Sequence, residues 1–261
     1  MLDSWPAPVD LSPSIALLAA VFATSLLSGV FGMAGGILLM GAFTALLPVS
    51  AAMITHGSVQ LIANGWRAIL HRKHLRWRTI GVYMFGSGAV ALALTLVSYA
   101  PSKAVLYLLL GLVPILVWVP ERWIKLDAAR TGHGVAAGIV VTGCNLVAGA
   151  AGPLLDIFFV RTTLTRHEIV ATKAATQVFS HLAKITVYGL PLMAAKRSAG
   201  LPPTSFFLWM VPMSMLGGWA GGIILDRMSD RGFKNSTRWL LTAIGISYLV
   251  NAARLFAAGP S

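Results

Sequence analysis

Two sets of polar side chains stand at helical spacing inside apolar sequence. The first runs Thr55, His56, Gln60, Asn64 and Arg67; the second runs Thr172, Lys173, Gln177, His181 and Lys184. Steps of about four residues place each set along one helix face, so each helix carries a polar stripe. Amide, imidazole and cationic side chains are hydrogen-bond donors, and Gln60, Asn64, Gln177 and the lysines together suit the oxygens of a small anion. A buried cation such as Lys173 or Lys184 supplies the charge that lets an anion enter a low-dielectric site. Each residue also has a plainer role open to it. Arg67, beside a basic loop, can snorkel to an interface, and Gln60, Gln177 and His181 can simply join helices.

The two stripes are copies. Thr55 meets Thr172 and Gln60 meets Gln177 at an offset of 117 positions, the offset that also separates Gly32 from Gly149. With the same shift, Gly32-Met33-Ala34-Gly35-Gly36 falls on Gly149-Ala150-Ala151-Gly152-Pro153. Ala, Gly and Leu matches mean little in a hydrophobic chain, whereas registered polar residues in apolar segments point to an internal duplication. The repeats are placed at residues 1–125 and 126–261.

What must position these residues is a membrane bundle. The chain has 261 residues, is 57% apolar and only 11% charged, and holds no Lys, Arg, Asp or Glu between residues 13 and 66. Its mean hydropathy is +0.78. Water solubility is excluded by that composition, and lipid-facing backbone must be helical. Apolar segments fall at about 13–47, 51–70, 79–98, 104–120, 132–160, 167–190, 204–226 and 237–257. Trp66, Trp77, Trp118, Trp123, Trp209 and Trp239 lie near segment ends, where interfacial aromatic belts form. The net charge of +12 resides in loops rather than on a nucleic-acid face, and the first basic residue is Arg67, so the Asp3- and Asp10-bearing start lacks the basic region of a cleaved signal peptide. A lone Cys144 excludes an internal disulfide.

Segments 13–47 and 132–160 are too long for one crossing and break at their glycines. If each folds back as a hairpin, one side of the membrane collects 14 Lys and Arg residues and the other 4, leaving aside Lys173 and Lys184. The basic side is then the cytoplasm. Each half has one hairpin plus three crossings, an odd number, so the halves are expected as inverted repeats. Inverted repeats with broken helices are a plan of secondary transporters, whose site lies at the midplane. The leg after each break starts with unpaired N–H groups and the positive end of its dipole, so Gly35, Gly36, Gly152 and Pro153 join the expected anion site. Asp156, the one acid well inside an apolar segment, is expected to be a counter-ion to Lys173 or Lys184, a proton-coupling group or, if the segment lies shallower, an interfacial residue of no special role.

The glycine motif after a long apolar lead-in, followed by a T-x4-Q helix and duplicated through about 260 residues, resembles the sulfite exporter TauE/SafE family of bacterial inner-membrane proteins. The resemblance implies a multi-pass inner-membrane protein that moves sulfite, an organosulfonate or a related sulfur-containing anion, outward, by alternating access. An anion channel and a carrier of another small carboxylate-type anion are the alternatives. No enzyme activity, cofactor or metal is expected: His71 and His74 have metal-like spacing but sit in a basic loop, and nucleotide motifs are missing from the sequence. The expected partners are the anion and the lipid bilayer. Nucleic acid is not among them, and the oligomeric state is left open.

Overall fold

The computed structural model describes residues 12–31, 34–97, 101–194, 200–225, 227–228 and 230–258. Gly32 and Met33 of the first glycine motif, and Asp3 and Asp10, lie outside them. The described residues form ten α-helices and no strand. Five helical stretches are long and apolar enough to cross a membrane: Ser14–Phe31, Trp77–Val97, Thr131–Ala148, Thr204–Ile224 and Ser236–Ala257. Their outward faces expose large apolar side chains, among them Phe85, Leu92, Leu96, Leu208 and Ile246, a surface suited to acyl chains rather than water. The protein is an all-α, multi-pass membrane protein.

The first apolar segment divides into α1 (Ser12–Phe31) and α2 (Ala34–Leu46). A Cβ on Gly35 would lie 2.1 Å from the Thr24 carbonyl oxygen and 2.7 Å from the Ser28 nitrogen, so α2 starts hard against the end of α1 and the chain folds back there. Only a residue without Cβ allows that approach. The second long segment divides in the same way, into α6 (Thr131–Ala148) and α7 (Gly152–Phe159). Gly149 ends α6 with φ +80°, a left-handed cap, and Pro153 stands in the first turn of α7, where its missing N–H is not needed. The base of this hairpin is closed by the Ala128 N–H donating to the Phe158 carbonyl at 2.8 Å and by the Arg161 Nε donating to the Ile124 carbonyl at 2.9 Å.

Between the hairpins run the stripe-bearing helices α3 (Val49–Leu70) and α8 (Arg166–Ala194), packed against each other. Helix α8 opens with a capping box, in which the Thr165 N–H donates to Glu168 Oε2 at 2.9 Å and the Glu168 N–H donates to Thr165 Oγ1 at 3.4 Å. Glu168 also pairs with Arg76, tying this start to the loop before α4 (Trp77–Val97). Helix α4 packs on α8 and α9 (Thr204–Leu225) on α3, while α5 (Lys103–Leu112) and α10 (Asp230–Ala257) pack on α2. Helix α1 packs along α9, α6 along α4, and α5 along α10. Glycines permit the tightest of these contacts: Gly217 and Gly221 meet the backbone of α1, and Gly86 and Gly138 join α4 to α6.

Candidate functional site

A cavity of about 40 Å³ lies where the hairpin turns meet the central helices. Its walls are Gly36 and Ile37 from the start of α2, Ala150, Ala151 and Gly152 from the turn into α7, and Ser28 from α1. The α3 residues His56, Gln60, Asn64 and Arg67 line it together with Gln177 and His181 of α8. At roughly 10–15 Å³ per water, this is room for about three waters or one small oxyanion head. The first turns of α2 and α7 border the cavity, so both bring helix-start N–H groups and dipole ends to it.

The polar groups around it are organised for donation. Gln177 is buried, and its Nε2 has no hydrogen-bond partner. An unpaired buried donor costs about 1–3 kcal/mol in a folded protein, so one at a cavity wall is completed by water or by a ligand. Asn64 Nδ2 donates to the Gln60 carbonyl at 3.0 Å and approaches Gln60 Oε1 at 3.4 Å, which leaves the Gln60 amide nitrogen for the cavity. Arg67 lines the cavity half-buried, with no carboxylate paired to it among the described residues.

Lys184 is fully buried at the edge of this group. Its Nζ donates to the Gly149 carbonyl at 2.5 Å and to His56 Nδ1 at 3.1 Å, while His56 Nε2 bonds the Gly36 carbonyl at 2.9 Å. A carbonyl can only accept, so Nε2 carries the proton and Nδ1 is free to accept from the lysine. Lys184 and His56 therefore link the two hairpin turns to each other. The C-terminal carbonyl of α6 faces the ammonium, a favourable dipole contact, and no carboxylate pairs with it among the described residues. The His56 and His181 rings meet edge to face at 5.7 Å, and Asn145 Nδ2 lies 3.5 Å from His181 Nδ1.

The remaining expected site residues sit elsewhere. Lys173 pairs with Asp156. Thr172 Oγ1 accepts from the Arg76 N–H at 3.2 Å, outside the cavity wall. Thr55 is buried with an unpartnered Oγ1, also off the wall. Gly35 and Pro153 are buried in the hairpin turns, shaping them without lining the cavity.

Several polar residues at the same level escape sequence reading. Ser28 lines the cavity, and Tyr83, Ser87, Thr142 and Ser180 form a buried hydroxyl cluster joining α4, α6 and α8, with contacts of 2.6 to 3.2 Å. A signal for them exists at the 117-residue offset, which pairs Ser25 with Thr142 and Ser28 with Asn145. Ser25 makes the matching contact on the other side, 3.4 Å to Ser214 of α9.

A family model described as Sulfite exporter TauE/SafE matches residues 17–248. No curated protein and no solved structure matches the chain.

Proposed function

We propose that this chain, which belongs to the sulfite exporter TauE/SafE family of membrane transporters, carries sulfite or an organosulfonate out of a bacterial cell across the inner membrane. The anion binds near the midplane between two inverted repeats, residues 1–125 and 126–261, and the carrier works by alternating access.

One observation carries this reading: both glycine turns and both polar helices, widely separated in sequence, contribute to a single cavity holding an amide donor without a protein partner and a guanidinium that no carboxylate pairs among the described residues. Gln60 and Gln177, Arg67 and the helix-start N–H groups are the groups assigned to the anion's oxygens. Lys184 supplies positive potential from behind and braces the turns. The repeat reading draws support from helix pairings that map onto one another when the halves are exchanged: α1 with α9 becomes α6 with α4, while α3 with α8 and α5 with α10 map onto themselves.

Two features support a resting state whose site is reached from the cytoplasm, where an exported anion loads. A larger cavity of about 400 Å³ shares Ser28, Gln60 and Arg67 with the inner one and extends to Leu70 and His71, at the end of α3 beside the basic loops. On the opposite side of the turns, the Lys184–His56 link and the Tyr188 hydroxyl donating to the Leu146 carbonyl at 2.6 Å close the path. With the cell interior negative, each exported negative charge gains about 2.3 kcal/mol per 100 mV, so a dianion needs no nucleotide-driven step.

The test is uptake of labelled sulfite by proteoliposomes bearing Gln60→Ala, Gln177→Ala or Lys184→Ala protein. Each is expected to lower transport tenfold or more at equal protein content, and unchanged flux in all three would remove the site.

A further inference from the structure

The larger cavity has a chemistry unlike the inner one. Arg67, its one permanently charged wall residue among the described residues, stands at the inner end with Gln60. Beyond them the wall carries the large apolar side chains Trp66, Leu70, Met215 and Trp219, with Ser25, Ser214 and His71 interspersed. A volume of about 400 Å³ is ten times that of the inner cavity, far more than a bare triatomic or tetratomic oxyanion fills. Room also remains along α9, because a Cβ added to Gly218 or Gly222 would meet no atom within 4 Å. A purely hydrated anion gains nothing from two indole rings and a thioether, whereas an apolar chain does.

We propose that the anion carried here bears an apolar tail: the sulfonate head sits at Gln60 and Arg67, and an alkyl or aryl tail lies along Trp66, Leu70, Met215 and Trp219. This rests on the transport reading above and narrows its substrate class to amphiphilic organosulfonates. The continuity of the two cavities through Ser28, Gln60 and Arg67 sets the orientation, with the head inward and the tail toward the mouth. Bare sulfite fits the head site alone and is the weaker ligand.

Displacement of labelled sulfite from the protein in lipid nanodiscs tests this, with empty nanodiscs correcting for partition into lipid. The probes are methanesulfonate, butanesulfonate, benzenesulfonate and the uncharged butanesulfonamide. Complete burial of a methylene strengthens binding about fourfold, so three partly buried methylenes should make butanesulfonate at least about tenfold tighter than methanesulfonate. Butanesulfonamide should not compete. Gly222→Leu, which occupies the tail space on a helix that tolerates the side chain, should abolish the gain with chain length while methanesulfonate and sulfite bind as before. Equal affinities across the sulfonates would overturn the tail site and leave the transport reading standing. Competition by the neutral sulfonamide as strong as by butanesulfonate would make the cavity a lipid-like pocket and overturn the proposal. Failure of sulfite and every sulfonate to bind would overturn the transport reading with it.

Discussion

Gln177 separates a structural role from a functional one. Its Nε2 has no protein partner, unlike an amide that joins helices. Gln177→Leu should therefore leave the thermal midpoint unchanged or raise it while lowering sulfite transport at least tenfold; a fall in both would mark it as helix glue. The Lys173–Asp156 pair behaves in the opposite manner. Lys173 is mostly buried whereas the Asp156 carboxylate is 47% exposed, so removing the acid strands a cation and should cost about 1–3 kcal/mol, less than a fully buried pair. Lys173→Met together with Asp156→Leu should recover most of that loss. Recovery of stability without transport would assign the pair to coupling, and recovery of both would make it a strut. At this scale the sequence was informative about residue type and less so about direction. Thr172 and Lys173 share the spacing of Gln177 and His181, yet they face the Arg76 backbone and Asp156. Spacing specifies a helix face; which neighbour occupies that face depends on hairpins folded from elsewhere in the chain.

Among elements, the broken helices matter most. Gly149 holds φ +80°, and a Cβ there would lie 2.6 Å from the Met40 side chain, so Gly149→Ala should destabilise the protein by about 1–3 kcal/mol and displace the carbonyl that holds Lys184. Gly65 is the control. A Cβ on it meets nothing within 4 Å in the middle of α3, and Gly65→Ala should be neutral or stabilise by up to about 1 kcal/mol. Heat denaturation monitored by circular dichroism distinguishes them, and equal midpoints would contradict the account of the turn. The break positions, the eight apolar segments and the long α3 and α8 were legible because glycine, length and polarity are local signals. The hydroxyl cluster of Tyr83, Ser87, Thr142 and Ser180 was not, since isolated Ser and Thr in apolar helices usually satisfy themselves on their own backbone, as Thr44 and Thr95 do.

The whole molecule is asymmetric about its central helices. One flank of the central helices is sealed by the Tyr83 cluster and Lys184, whereas the related flank holds the wide cavity beside Ser25 and Ser214. Exchange of these two conditions is the transport cycle proposed here, and the two hairpin turns remain at the centre of it. The central claim is that the anion binds between the turns. Selenite, a heavier analogue of sulfite, reports its own position by anomalous scattering. Crystals of the protein grown with selenite should show one anomalous peak within hydrogen-bond distance of the Gln60 and Gln177 amides, between Gly36 and Gly152. A peak elsewhere, or an empty cavity at a selenite concentration that saturates transport, would contradict the account.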